Sequence, residues 1–139
     1  MRDLGRVRRV VVKIGSSSIT HENGRLALRK IDLLAKELAD LHNSGRDVIL
    51  VSSGAIAAGV SALRLCQKPQ KTAQKQAAAA VGQGALMQLY EKFFLEYRQS
   101  IAQILLTKDV MDDPCQRENA INTFAQLLEY GVIPIVNEN

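Results

Sequence analysis

The chain has 139 residues with 18 basic and 14 acidic side chains, so its net charge is +4 and its length suits one domain. Hydrophobic residues make up 47% and charged residues 23%, which excludes a disordered chain. No apolar run approaches the roughly 20 residues of a membrane span, and the opening segment lacks the apolar core of a secretion signal. We therefore expect a cytoplasmic protein without membrane contact.

The cysteines, aromatics and basic residues argue against several further classes. Cys66 and Cys115 form neither a metal-binding spacing nor a disulfide framework, so we expect free thiols and no protein-bound metal site. Only three Phe and three Tyr are present, whereas nucleic-acid surfaces interleave basic clusters with aromatics. We interpret the basic patch at Lys68, Lys71 and Lys75 as solvated charge that helps to attract anions, and expect no nucleic-acid partner.

Strand-like and helix-like segments alternate along the whole chain. Short β-branched runs predict strands at residues 10–14, 48–51, 101–106 and 132–136. Apolar spacing of three and four predicts helices at residues 28–41, 55–65, 72–97 and 114–130, the last with an Asp113 cap, Pro114 at its first position and Gln116 closing a capping box. Strands separated by helices predict a parallel sheet covered on both faces, a three-layer α/β/α sandwich.

Polar residues follow the first predicted strand, where ligands bind in sheets of this type. Lys13 lies near the end of an apolar strand, a costly place for an ammonium group that meets neither water nor an anion. Gly15 allows a sharp turn, and the amides and hydroxyls from Ser16 onward suit a phosphate-binding nest. The alternative is a lysine that extends to solvent beside a polar turn.

The second and fourth strands also end in small or polar residues. Ser53 is followed by Gly54 and Ala55, which leave the start of a helix open to a carboxylate or a phosphate. Close packing of the helix on the sheet, with a serine cap, explains the same residues. Asn137 follows the fourth strand, and we expect it to face the crevice shared with Lys13 and Ser53.

Other prominent residues receive structural interpretations. Gly82 and Gly84 lie inside a predicted helix, and close packing against a neighbouring helix is the more common reason for such glycines. The acidic residues at positions 109, 112 and 113 fit capping and a solvated loop better than a metal cluster. His21 and His42 belong to no ligand pattern, so neither receives a role.

Five motifs taken together resemble the amino acid kinase family, in particular its members that phosphorylate glutamate. The motifs are VKIGSS at residues 12–17, SSGAIAAG at 52–59, AVGQ at 80–83, LLT at 105–107 and PIVNEN at 134–139. They occur in order along nearly the whole chain, which makes the set far more specific than any one motif. The resemblance covers the N-terminal part of a family domain, so residues 1–139 are expected to be the glutamate-binding half, incomplete at the C-terminus.

The resemblance implies ATP-dependent phosphorylation of the side-chain carboxylate of L-glutamate, the first step towards proline. It implies that Lys13 is catalytic and contacts the ATP phosphates together with Gly15 and Ser16. It further implies that Ser53, with the amides of Gly54 and Ala55, holds glutamate, and that Asn137 lies at the substrate mouth. Magnesium is expected to bridge the phosphates, and a homo-oligomer is expected.

The family's pattern also contains segments that this sequence lacks. The aspartate that follows Asn-Glu-Asn, the adenine-binding segment, a further lysine and the C-terminal PUA domain of some members are absent. The chain by itself is therefore expected to be inactive or nearly so. Two alternatives stay open: a non-catalytic module that senses glutamate or serves in assembly, and a related kinase that acts on another carboxylate, carbamate or nucleotide substrate.

Overall fold

The computed structural model describes residues 4–137, so Glu138 and Asn139 of the last motif lie outside the described residues. The strands are β1 (Arg9–Ile14), β2 (Asp47–Ser52), β3 (Ile101–Ile104) and β4 (Ile133–Asn137). The helices are α1 (Leu28–Asn43), α2 (Ala55–Ala62), α3 (Thr72–Glu96), α4 (Lys108–Asp112) and α5 (Pro114–Glu129). The described strands form one sheet in the order β1–β2–β4–β3, and every neighbouring pair is parallel.

The predicted alternation of strands and helices is confirmed, with two boundaries corrected and one short helix added. β3 ends at Ile104 rather than at residue 106, and residues 108–112, which were assigned to a loop, form α4. α2 ends at Ala62 rather than at residue 65, because Arg64 adopts the left-handed conformation with φ 54°. The amide of Leu65 then donates to the carbonyl of Val60 at 3.1 Å, which closes the end of the helix.

The core lies on one face of the sheet. Strand alternation directs Ile14 of β1 and Leu50 of β2 to this face, which α1 and α3 cover. The cluster also contains Ile31, Leu38, Val48, Leu86, Tyr90, Phe94, Ile133 and Ile135. Burial of such side chains contributes roughly 1.5–3 kcal/mol each, so this face supplies most of the stability.

The opposite face of the sheet is covered unevenly. α5 packs against β4 and completes the third layer, which confirms the predicted sandwich with a parallel sheet. Val11 on β1 is 60% exposed, and α5 contributes no buried residue. Within residues 4–137, none of the helices combines the length and the apolar run needed to cross a bilayer.

The start of α5 confirms one capping prediction and corrects another. The carboxylate of Asp113 accepts hydrogen bonds from the amides of Cys115 at 2.9 Å and Gln116 at 3.4 Å, which hold the pKa of Asp113 below its usual value. The predicted capping box is wrong, because the Gln116 amide group donates to the Asp113 carboxylate at 3.1 Å. The Asp113 backbone N–H is already committed to the carbonyl of Asp109, at the end of the short helix α4.

The helices α2 and α3 approach each other at two glycines. A Cβ atom at Gly82 would overlap the carbonyl oxygen of Ala55, and one at Gly59 would overlap that of Ala78. These atoms belong to the backbone and cannot rotate away, so the close crossing requires both glycines. The predicted close packing at Gly82 is therefore confirmed, whereas a Cβ atom at Gly84 meets nothing within 4 Å.

The buried stripe of α3 differs from the predicted one. The sequence predicted a face made of Leu86, Leu89, Phe93 and Tyr97, but the buried residues recur at every fourth position: Ala78, Gly82, Leu86, Tyr90 and Phe94. The contact with α2 at Gly82 fixes the rotation of the helix, and the stripe follows from that contact. Leu89, Phe93 and Tyr97 lie beside it and are only partly buried.

The two glycines of α3 provide a matched pair of substitutions. We expect Gly82→Ala to lower the free energy of unfolding by roughly 1–3 kcal/mol, because the new methyl group forces the backbones of α2 and α3 apart. We expect Gly84→Ala to raise it by about 0.4–1 kcal/mol, because alanine restricts the unfolded chain and meets no neighbour. Urea denaturation followed by circular dichroism measures both, and equal effects of the two substitutions would contradict the packing argument.

Candidate active site

Three strand ends lie side by side at the carboxyl edge of the sheet. Ile14 of β1 pairs in register with Ser52 of β2, and Ser52 pairs with Asn137 of β4. The turns that follow β1 and β2 therefore begin at the same level. Residues that are far apart in the sequence are thus brought to one edge, as a parallel sheet requires.

The turn after β1 begins one residue later than predicted. Gly15 is extended (φ −84°, ψ 164°), so the chain reverses in a single 3₁₀ turn, Ser16–Ser18. The amide of Ser18 donates to the carbonyl of Gly15 at 3.1 Å, and the hydroxyl of Thr20 donates to the carbonyl of Ser16 at 2.9 Å. A Cβ atom at Gly15 would meet nothing within 4 Å, which leaves open space beside the backbone.

The turn after β2 places a helix start without a side-chain cap at the same edge. The amide of Ser53 donates to the carbonyl of Ile14 at 3.1 Å, which ties this turn to the end of β1. Gly54, not Ser53, is the N-cap residue of α2, so the serine cap considered from the sequence is not formed. Gly54 has φ 109°, a left-handed conformation that favours glycine, and a Cβ atom there would also press on the side chain of Ile19 at 2.6 Å.

A buried hydrogen bond holds the end of β2, and the sequence analysis did not predict it. The hydroxyls of Ser52 and Tyr90 lie 2.7 Å apart, and both side chains are almost fully buried. The Ser52 hydroxyl donates to the carbonyl of Ser53 at 2.9 Å, so its single proton is committed and Tyr90 is the donor of the other bond. Burial raises the pKa of Tyr90 to about 12, and the bond to Ser52 opposes this rise only partly.

One cleft opens where the two turns meet, and we call it the main cleft. Its volume is about 760 Å³. It brings together Ser16, Ser53, Gly54 and Ala55 of the predicted site. The full lining is formed by residues 16, 17, 20–24, 53–57, 60, 65–69 and 75.

Three predicted site residues do not line the main cleft: Lys13, Gly15 and Asn137. Lys13 is exposed, and strand alternation directs it to the sheet face opposite Ile14. Asn137 lies level with Ser52, and its side-chain Oδ1 is buried without a hydrogen-bond partner among the described residues. Such an acceptor is costly in a folded protein unless another group satisfies it.

Several residues of the cleft wall were not predicted from the sequence. Thr20 and His21 come from the chain between β1 and α1, and Lys68 and Lys75 come from the basic patch that was interpreted as solvated charge. The only sequence signal for the two lysines was the excess of lysine in this segment, and such an excess does not show which surface the lysines face. Gln83 was recognised only as part of a motif, and its side-chain Oε1 is buried without a partner among residues 4–137.

The arrangement suits an anionic ligand. The first amides of α2 and the positive end of its dipole stabilise negative charge at the site, and Lys68 and Lys75 add positive charge to the wall. Glu22 is the one acidic residue of the lining. Among residues 4–137, no three His, Cys, Asp or Glu side chains lie close enough together to hold a metal ion.

The fold and the site define an α/β protein with a cleft suited to an anion at the carboxyl edge of a parallel sheet. A model of the amino acid kinase family matches residues 8–139. The chain belongs to the amino acid kinase family, and the resemblance found in the sequence motifs is confirmed.

Curated relatives agree with the family at high identity. The chain is 58% identical to the glutamate 5-kinase of Clostridium tetani over 133 residues, which cover 96% of this chain and 50% of that protein. It is 56% identical to the glutamate 5-kinase of Carboxydothermus hydrogenoformans, over 98% of this chain and 37% of that protein. The chain spans about half the length, or less, of these relatives.

A solved structure confirms the fold independently of sequence. The chain matches the structure of an isopentenyl phosphate kinase with a TM-score of 0.57, over 95% of this chain and 57% of that one. The sequence identity is 13%, so this likeness concerns the fold alone.

The Tyr90–Ser52 bond predicts a specific dependence of stability on pH. The pKa of Tyr90 rises on folding from 10.0 to about 12. The contribution of Tyr90 to the free energy of unfolding is therefore fully present below pH 10 and is lost as the pH rises through 12. The loss amounts to roughly 2–3 kcal/mol at the alkaline limit. Tyr90→Phe removes the hydrogen bond, which lowers the free energy of unfolding by about 0.5–1.5 kcal/mol near neutral pH. It also removes the loss of stability at alkaline pH, because phenylalanine does not titrate.

Urea denaturation of the wild type and of Tyr90→Phe between pH 8 and 12 tests this expectation. The free-energy curves are expected to converge or cross above pH 10. Tyr130→Phe is the control, because Tyr130 is 73% exposed and its substitution should leave the shape of the curve unchanged. Parallel curves for Tyr90→Phe and the wild type would contradict the assigned burial of the hydroxyl.

Proposed function

We propose that residues 1–139 form the N-terminal, glutamate-binding part of a glutamate 5-kinase. The reaction is the transfer of the γ-phosphoryl group of ATP to the side-chain carboxylate of L-glutamate, which yields glutamyl 5-phosphate and ADP. The proposal includes Mg²⁺ as the ion that accompanies ATP, a homo-oligomeric assembly and a cytoplasmic location.

The observation that carries the proposal is the identity of 50–58% to proteins named glutamate 5-kinase, over 94–98% of this chain. The geometry supports it, because an uncapped helix start in a cleft suits a small carboxylate substrate. Geometry alone is compatible with several carboxylates, and the identity favours glutamate among them.

On the glutamate side, we assign binding to the turn after β2. The Ser53 hydroxyl and the amides of Gly54 and Ala55 donate hydrogen bonds to a carboxylate of the substrate. The buried Oδ1 of Asn137 is a hydrogen-bond acceptor without a partner among the described residues, and it suits the ammonium group of an amino acid. The carboxylate therefore binds to donors and the ammonium group to an acceptor.

On the nucleotide side, we assign phosphate contacts to the turn after β1. The amides of Ser18 and Ile19 are engaged within the 3₁₀ turn. We assign the contacts with phosphate oxygens to the amides of Gly15 and Ser16. The open space beside Gly15 permits a close approach of the nucleotide to the backbone. Lys13 lies two residues before Gly15, and its long side chain supplies a positive charge to the γ-phosphate.

The phosphoryl transfer does not need a general base. A carboxylate oxygen attacks the γ-phosphorus atom, the bond between that atom and the β,γ-bridging oxygen breaks, and ADP leaves. The carboxylate is already deprotonated at neutral pH, so no proton has to be removed from it. What the chain must supply is the alignment of the two anions and positive charge around the transferred group.

A chimeric enzyme tests the proposal. Residues 1–139 of this chain are joined to the second half of the Clostridium tetani relative, and ADP release is measured with ATP, Mg²⁺ and L-glutamate. We expect turnover with glutamate and none with aspartate, while the 139-residue chain alone is expected to show little or none. A chimera that melts cooperatively but neither binds nor phosphorylates glutamate would contradict the proposal, and calorimetric titration of glutamate provides the binding result independently of turnover.

Substitutions in an active chimera separate the two sides of the site. Ser53→Ala is expected to raise the KM for glutamate roughly tenfold or more, because it removes a hydrogen bond to a charged group. Lys13→Ala is expected to lower kcat by about 100-fold or more with little change in the KM for glutamate. Ser100→Ala, an exposed serine next to the opposite edge of the sheet, is the control, and an effect of Lys13→Ala confined to glutamate binding would contradict its assignment.

A further inference from the structure

A second cavity of about 620 Å³ adjoins the main cleft, and we call it the side cavity. It lies between the end of α2 and the turn at residues 23–25. We propose that the side cavity binds a small oxyanion, a carboxylate or a phosphate group, through the guanidinium groups of Arg25 and Arg64. Guanidinium groups bind both kinds of anion through paired N–H donors.

The end of α2 places Arg64 in the wall of the side cavity. Arg64 has φ 54°, a left-handed conformation that glycine adopts at lower cost. Two carbonyls at the end of α2 are already satisfied, since Arg64 and Leu65 donate their amides to Ser61 and Val60 at 3.2 and 3.1 Å. The guanidinium group is therefore not needed at these two carbonyls, and Arg64 lines the side cavity.

The turn that carries Arg25 is ordered by its own hydrogen bonds. The amide of Arg25 donates to the side chain of Asn23 at 3.1 Å, and its carbonyl accepts from the amide of His21 at 2.8 Å. Gly24, at φ 82°, completes the reversal. Arg25 is thus held by the backbone at a fixed place in the wall of the side cavity.

The charge of the side cavity is the reason for this assignment. Its lining contains these two arginines and no acidic residue. Arg9 forms an ion pair with Asp47 at 3.3 Å and Arg46 donates to the carbonyl of Val7 at 3.2 Å. In the described part of the chain, no hydrogen bond or ion pair engages the guanidinium group of Arg25 or Arg64.

The side cavity and the main cleft share part of their walls, namely Asn23, Gly24, Val60, Leu65 and Cys66. An anion in the side cavity therefore contacts residues that also border the main cleft. We expect such an anion to change the affinity of the main cleft for its own ligand. The binding of the anion itself does not depend on the kinase proposal, because it requires no turnover.

Titration of the purified complete protein with inorganic phosphate and, separately, with succinate tests the inference at constant ionic strength and pH. Binding is followed by calorimetry and by the rise in Tm. We expect at least one of the two anions to bind, and the one that binds more tightly identifies phosphate or carboxylate as the ligand class. The double variant Arg25→Gln/Arg64→Gln is expected to lose at least tenfold in affinity for it.

The chain supplies a matched control for Arg64. Arg98 follows α3 as Arg64 follows α2, has φ 55° and is exposed, but does not line the side cavity. Arg98→Gln should retain wild-type affinity for the anion, and Arg64→Gly, which fits the left-handed backbone, should lose affinity without loss of Tm. Absence of binding by both anions, or an equal loss of affinity in Arg98→Gln, would overturn the inference.

Discussion

The absence of a side chain at Gly82 is the constraint on which the site depends. It allows the backbone of α3 to contact the first residue of α2, Ala55, at the edge of the main cleft. Four residues further along α3, Leu86 lies beside Gly54, and after four more Tyr90 holds Ser52. One buried stripe on a helix thus contacts the turn after β2 at successive positions, so the packing of the core and the geometry of the site have the same cause.

The polar interactions in this region follow from the same stripe. A buried hydroxyl pair in an apolar core is costly unless both partners are satisfied, and Tyr90 and Ser52 satisfy one another. The second bond of Ser52, to the carbonyl of Ser53, extends the network to the residue at the mouth of the cleft. A rigid turn is what phosphoryl transfer requires, because its catalysis consists mainly of alignment and fixed charge.

Charge is distributed unevenly around this edge of the sheet. The main cleft and the side cavity together have four basic side chains, Arg25, Arg64, Lys68 and Lys75, against one acidic residue, Glu22. A concentration of positive charge in a concave region attracts anions more strongly than the same charges spread over a convex surface. The anions proposed for the main cleft and for the side cavity would both benefit from this charge.

The sequence by itself determined the alternation of strands and helices, the fold class and the position of Ser53, Gly54 and Ala55 after the second strand. Periodicity, glycines and motifs are local properties of the chain. Tertiary structure decided the strand order, the stripe of α3 that is buried, the Tyr90–Ser52 bond and the cavity that Arg64 faces. Each of these depends on contacts between residues far apart in the sequence. Lys13 shows how far the sequence alone could go. Its position near a strand end followed from the sequence, whereas the sheet face that it occupies depends on which side of the sheet α1 and α3 cover.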